Sequence, residues 1–324
     1  MVKKIHLNAR VILIVFVIAL MLPVVIFPDK YVQSVAAGLN LYALSVLPAL
    51  FPFFFFSKVL SELNFGYDIG LALRKPLKKL FNAPALSGYV LVMSMLCGYP
   101  IGAKLTSDFF ETGLIDKREA KGMVAFTSTS GPLFIVGTVG VGMLANKTAG
   151  FIILISHYLS ALLNGFIFRA KKSDSVSLPA VPGIRTDRIL SESMTSSIIS
   201  VAIVGGYIAV FNMVLDLCFD LNIISFFARP MNLVGVDMRL GEGLAACFVE
   251  ITKGCLLLSK SGFSLKIVAP LCTLGITFGG LSVTLQSMTF LSKCKISPVY
   301  YLAMKATQGI LSFLICLGLS ALLL

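Results

Sequence analysis

The sequence predicts an all-α, polytopic membrane protein: one transmembrane domain spanning 1–324, built from inverted-topology repeats with re-entrant or broken helices. Three observations point there. Hydrophobic residues make up 57% of the 324 and charged residues only 13%, where a soluble domain carries about 25% charge. No polar stretch is long enough to cut the chain into separate domains. The apolar runs are also broken in mid-course, most plainly at Gly98-Tyr99-Pro100-Ile101-Gly102. Proline lacks an N–H and clashes with the preceding turn, and each glycine costs about 1 kcal/mol of helix preference. Backbone freed in hydrocarbon survives only where protein or a watery cavity satisfies it, and transporters place their substrate sites at such breaks.

The net charge of +12 comes with no basic tail or basic–aromatic module, so it argues for Lys- and Arg-rich cytoplasmic loops rather than a nucleic-acid partner. The seven cysteines are scattered without a C-x-x-C spacing, which argues against a metal centre. No cofactor is expected. No Ser/His/Asp set, H-E-x-x-H or aspartate pair lies at membrane depth, so an enzyme is not expected either.

Taken in order, Lys3, Lys4 and Arg10 precede an apolar run at 11–27. This reads as a retained signal-anchor helix with a cytoplasmic N-terminus, although Ser34-Val35-Ala36 would suit a cleavage site. Residues 35–63 return to the cytoplasm through Pro48 and Pro52. The amphipathic run 71–81, with Arg74, Lys75, Lys78 and Lys79, should lie on the anionic leaflet.

Charge decides the course of the broken segment 85–112. A full crossing would put Arg169, Lys171, Lys172, Arg185 and Arg188 outside, against the positive-inside bias. A re-entrant hairpin tipped at the break keeps the loop 171–188 cytoplasmic. A second break, Thr127-Ser128-Thr129-Ser130-Gly131-Pro132, opens the next span; its hydroxyls line a polar cavity or serve only close packing. His157 and Asn164 sit within the span 152–168.

Beyond the loop, 198–219 crosses outward and 221–240 is an interfacial connector. Glu250, Thr252 and Lys253 lie inside the apolar run 244–258, where Glu250 and Lys253 either neutralise each other on one helix face or face a substrate. Whether 241–290 is a hairpin or two spans stays open. A further break, Gly279-Gly280-Leu281-Ser282, interrupts 267–291, and 301–323 returns the C-terminus to the cytoplasm. An offset of 181 residues pairs Gly98 with Gly279 and gives two repeats of opposite orientation, about 1–145 and 146–324.

The segments GYPIGA (98–103), TSTSGPLFIVGTVGVGM (127–143), His157-Tyr158-Leu159-Ser160, EITKG (250–254) and FGGLSV (278–283) together resemble the YlbJ-type sporulation integral membrane proteins. This family is related to the gate or nucleoside-recognition domains and to concentrative nucleoside transporters. The resemblance implies a protein of the outer forespore membrane that moves dipicolinate, a planar aromatic dicarboxylate. Such a substrate needs cations, N–H donors at half-helix N-termini and room for a ring. Chemistry nominates Gly98, Tyr99, Pro100, Gly102 and Lys104 at the first break, and Ser128, Thr129, Ser130 and Gly131 at the second. In the second half it nominates Glu250, Thr252, Lys253, Gly279, Gly280, Ser282 and Gln286. The expected partners are this anion and the lipid bilayer, and a homo-oligomer remains open. A transporter of another solute, such as a nucleoside, and a non-transporting scaffold or signalling protein of spore assembly are the alternatives.

Overall fold

The structure is a computed structural model that describes residues 2–169 and 187–324, so most of the polar loop 171–188 lies outside the described residues. Within them every regular element is helical. α1 (Val2–Ile26) meets α2 (Pro28–Leu41) at a bend of 107° beside Phe27-Pro28. α2 continues through a π-helical turn, Tyr42–Val46, into α3 (Leu47–Glu62). α4 (Phe65–Phe81) exposes Arg74, Lys75, Lys78 and Lys79 and buries Gly66, Gly70, Leu77 and Phe81. Where the amphipathic pattern predicted a helix lying on the leaflet, Gly66 and Gly70 seat it against Tyr89 and Ala85 at the start of the following hairpin.

That hairpin is α5 (Ser87–Cys97) and α6 (Ile101–Glu111). Its two arms are antiparallel about the 98–99 tip. Gly102 sits opposite Ser94, and the rings of Tyr89 and Phe109 are 6.1 Å apart. Eleven residues at about 1.5 Å each reach roughly halfway through a hydrocarbon core of about 30 Å. α7 (Lys117–Thr127) starts on a capping box between Asp116 and Glu119. It breaks at 128–132 and resumes as a π-helix, Leu133–Met143. α8 (Lys147–Ile167), capped by Asn146, then runs back.

The second half opens with α9 (Ile189–Asp220), antiparallel to α2 and α3 through Lys30–Asp220, Asn212–Ser34 and Tyr42–Val201 contacts. α10 (Ile223–Leu233) is short and amphipathic. α11 (Met238–Val249) and α12 (Ile251–Ser259) form a second hairpin tipped at Glu250, with Gly243 against Leu258 and Gly254 against Cys247. α13 (Leu265–Phe278) and α14 (Gly280–Leu291) make one broken span interrupted at Gly279. α15 (Pro298–Leu323) is the last long helix and runs antiparallel to α13, Thr273 meeting Cys316.

Contacts between helix ends fix which ends lie together. The Arg169 guanidinium donates to the Lys79 carbonyl at 3.1 Å, and Phe168 meets Tyr300 edge-on at 5.8 Å. Tyr300 donates to the Lys121 carbonyl, and Lys293 pairs with Glu111 at 3.0 Å. The first hairpin therefore enters and leaves by this one end. The second hairpin enters from the opposite end, where α9 finishes and α13 begins. Among the described residues, four helices are long and apolar enough to cross a bilayer: Lys147–Ile167, Ile189–Asp220, Leu265–Leu291 (counted through its break) and Pro298–Leu323.

Two expectations change. The run 244–258 is not one helix, because Glu250 takes extended backbone (φ −141°, ψ 118°) and turns a hairpin. This settles 238–259 as a hairpin and 265–291 as a through-going pair. The offset of 181 residues consequently pairs unlike elements, since Gly98 tips a hairpin and Gly279 interrupts a span.

Two outcomes follow. A methyl group on Gly102 would lie 2.0 Å from the Thr127 carbonyl oxygen, whereas one on Gly137 would meet nothing within 4 Å. Gly102→Ala should therefore lower stability by about 1–3 kcal/mol, the usual range for overpacking, and Gly137→Ala should leave it almost unchanged, as read by thermal unfolding in detergent. In sealed vesicles, Lys117→Cys and Lys293→Cys should react with an impermeant thiol reagent from one face and Lys260→Cys from the other; a shared face for all three would refute the two-ended arrangement.

Candidate functional site

The two hairpin tips and the two broken spans converge. Between them lies a small cavity of about 50 Å³. Gly98 and Tyr99 come from the first tip, Ser130, Gly131 and Phe134 from the break after α7, and Glu250, Ile251 and Thr252 from the second tip. Ser282, Val283 and Gln286 come from the first turns of α14, and Val46, Leu50, Val204 and Ile208 close the apolar side. Gly98 is required where it stands. Its φ is +79°, and a Cβ would lie 2.5 Å from the Gly131 nitrogen. The tip and the second break touch backbone to backbone.

Behind the cavity wall runs a buried polar network. Lys305 of α15 has no exposed surface. Its ammonium donates to Tyr99 Oη at 2.8 Å, the Ser128 carbonyl at 2.9 Å and Gln308 Oε1 at 2.8 Å. Three N–H bonds meet three acceptors, and the same ammonium lies 4.8 Å from the centre of the Tyr99 ring. The Tyr99 hydroxyl in turn donates to the Thr277 carbonyl at 3.2 Å. His157, also fully buried, accepts the Ser130 N–H at Nε2 (2.9 Å), which leaves Nδ1–H to donate to Thr277 Oγ1 at 2.7 Å. Ser128, Tyr301 and Ser287 form a hydroxyl chain at 2.9 and 3.0 Å.

The network serves mainly one polarity of broken backbone, the Ser130 N–H taken by His157 being the exception. Freed carbonyls at the half-helix C-termini accept from side chains: Ser128 from Lys305, Thr277 from Tyr99, Met95 from Tyr158 and Ala125 from Asn164. The N-termini facing the cavity are treated differently. α6, the π-helix and α14 begin without a side-chain cap. Only α12 is capped, by Glu250, whose carboxylate accepts from the Thr252 and Lys253 N–H groups at 3.0 and 2.7 Å. Uncapped N-termini carry the positive end of the helix dipole and favour an anion.

A curated relative aligns along nearly the whole chain. This is the "Sporulation integral membrane protein YlbJ" of Bacillus subtilis (strain 168), 30% identical over 325 residues that cover 91% of this chain and 79% of the relative. The chain belongs to the YlbJ family of sporulation integral membrane proteins. No family model and no solved structure matches it.

In this YlbJ-family chain the nominated residues divide sharply. Gly98, Tyr99, Ser130, Gly131, Glu250, Thr252, Ser282 and Gln286 line one cavity. Ser128 lies just behind it, and Thr129 bonds Ser94 at 3.4 Å. Pro100, Gly102, Gly279 and Gly280 shape the breaks; a Cβ on Gly280 would lie 2.6 Å from the Cys247 carbonyl oxygen of the second hairpin. The two nominated lysines lie elsewhere. Lys253 pairs with Asp216 of α9 at 2.5 Å and meets Glu250 only through its backbone N–H. The Glu250–Lys253 neutralisation, one of the two readings of the sequence, is thus not formed, because the hairpin turns at Glu250 and the two side chains do not share a helix face. Lys104 lines a separate cavity. The unforeseen residue is Lys305. Its signal was a charge in the apolar run 301–323, where an ammonium is expensive and tends to be functional.

Lys305→Met should leave the Tyr99 hydroxyl and the Ser128 carbonyl without their shared donor. A lost buried partner costs about 1–3 kcal/mol, so thermal stability in detergent should fall by that order. Lys305→Arg should recover part of it, and an unchanged melting profile in Lys305→Met would show that the network does not hold the breaks.

Proposed function

We propose that this integral membrane protein is a secondary transporter of a small organic anion, dipicolinate first among them, acting at the outer forespore membrane during sporulation. The observation that carries the reading is the meeting of two hairpin tips and two broken spans on one cavity, with uncapped helix N-termini directed to it. A scaffold needs no broken backbone at that depth.

The element order supports inverted repeats in a corrected register. Hairpin, broken span and long helix recur as α5/α6, α7 with the π-helix, α8, and as α11/α12, α13 with α14, α15. The tips Gly98 and Glu250 are 152 residues apart, as are Gly102 and Gly254, each four residues past its tip. The hairpins come from opposite ends, as in transporters with inverted halves. The basic end with Lys79, Lys117, Lys121, Arg169 and Lys293 is assigned to the cytoplasm, which also places the start of α9 there.

At about 50 Å³ the cavity is far below the roughly 300–1,000 Å³ of typical ligand pockets. On this reading an aromatic dicarboxylate enters when the tips separate. Glu250 favours a second reading, a neutral solute such as a nucleoside, because a carboxylate on the wall accepts hydrogen bonds from sugar hydroxyls.

Uptake of labelled dipicolinate into liposomes holding the purified protein, with nucleosides and other dicarboxylates as competitors, separates the two. Dipicolinate uptake that a dicarboxylate suppresses and a nucleoside does not is the expected outcome, and Gln286→Leu should lower it about tenfold. Suppression by nucleoside alone would transfer the assignment to the second reading.

A further inference from the structure

The central cavity is not isolated. Cys97, the last residue of α5, lines both it and a second cavity of about 50 Å³ enclosed by α3, the first hairpin and α9. This second cavity shares Lys104, Ser196 and Ser200 with a wider groove of about 560 Å³ between α9 and the α6/α14 pair. The groove reaches Ser191, Glu192 and Phe290, at the end of the molecule where Lys293 meets Glu111. Three spaces thus stand in series from that end to the hairpin tips, each joined to the next by shared wall residues.

The middle space has a defined chemistry. Lys58 and Lys104 face it, together with the hydroxyls of Ser57, Ser61, Ser196 and Ser200, and no carboxylate lines it. Lys58 is held by Glu62 one turn on, at 2.6 Å. Lys104 has no ion pair among the described residues; its acidic neighbours are the exposed Asp108 one turn along α6 and Glu192 on the groove wall. Ser200 Oγ already donates to the Ser196 carbonyl at 2.7 Å and Ser61 Oγ pairs with Tyr89 Oη, so the half-buried Lys104 ammonium is the charged donor that a carboxylate would meet there.

We propose that this middle space is a vestibular anion site, in which Lys104, across from the α9 serines, holds a carboxylate of the solute before it passes Cys97 to the hairpin tips. The substrate class rests on the transport reading above; the path and its charge do not. Lys104 is therefore a recognition residue of the vestibule and not of the central cavity.

The test uses the full-length protein in sealed liposomes with Ser200→Cys as reporter, the modified residue being identified by peptide mass spectrometry. An anionic methanethiosulfonate should modify Ser200→Cys several-fold faster than a cationic one of like size, from the Glu111–Lys293 end. Lys104→Gln should erase that preference and Lys104→Arg should keep it. Lys104→Gln should also raise the half-saturating concentration for dipicolinate uptake several-fold more than it lowers the maximal rate. Absence of modification at Ser200→Cys, or a charge preference untouched by Lys104→Gln, would overturn the vestibule. If the preference appears while wild-type protein takes up no dipicolinate, the vestibule stands and the substrate assignment falls.

Discussion

Everything in this fold answers to one constraint: backbone broken at bilayer depth must find partners. In water a chain interruption is cheap, because solvent takes up the freed N–H and C=O groups. In hydrocarbon each unpaired group costs several kcal/mol. Here the breaks at Gly98, Ser128–Pro132, Glu250 and Gly279 are gathered into one place, so that a single set of side chains can serve them. Lys305 is the hub of that set. Burying an ammonium completely is costly, and it is tolerated because all of its donors meet oxygens. Two of those oxygens, Tyr99 Oη and the Ser128 carbonyl, belong to different breaks.

The asymmetry of the service is informative. Carbonyl ends are bonded by Lys305, Tyr158 and Asn164, held in helices that pack around the centre, and by Tyr99 at the first hairpin tip. The amide ends of α6, the π-helix and α14 have no side-chain cap, although His157 takes the Ser130 N–H in the break before the π-helix. A fold that only needed to heal its breaks would treat both ends alike. Leaving amide donors without side-chain caps beside a cavity biases that cavity toward a negatively charged or hydrogen-bond-accepting guest. Glu250 is the exception that tunes it, since its carboxylate already occupies the amide end of α12.

How much of this could be read from the residues depended on whether the cause was local. Gly98-Tyr99-Pro100, the Ser-Gly-Pro run at 130–132 and Gly279-Gly280 announce themselves, because glycine and proline oppose the helix wherever they stand. The re-entrant course of 85–112 followed from loop charge. Glu250 gave no such signal: EITKG contains no proline, and a helical reading placed Glu250 and Lys253 on one face. The chain turns there because an extended Glu250 caps the next helix and Gly254 fits against Cys247, a tertiary fact. Assuming an unbroken helix hid the partner of Lys253, Asp216, which lies 37 residues away. The repeat register failed for a related reason. Glycine-to-glycine matching set Gly98 against Gly279, while the other hairpin tip is a glutamate, Glu250.

The division of the cavity wall also bears on how such a site could work. One side is carried by a hairpin that enters from the basic end, the other by a hairpin that enters from the opposite end. Each tip rests on a break of the other type within its own half or across the centre: Gly98 on Gly131, Gly280 on the Cys247 carbonyl. Withdrawing one tip would open the cavity toward its own end while the opposite tip stayed seated, because the contacts that seat the two hairpins are separate. On the transport reading, alternation then needs no rearrangement of α8, α9 or α15; the long helices act as the frame. Lys305 sits on that frame and grips the first tip through Tyr99, so the cost of withdrawing that tip includes exposing or re-pairing a buried ammonium. An anion arriving beside Tyr99 offers that ammonium a new partner, which is a physical route by which solute binding could release the tip it must pass.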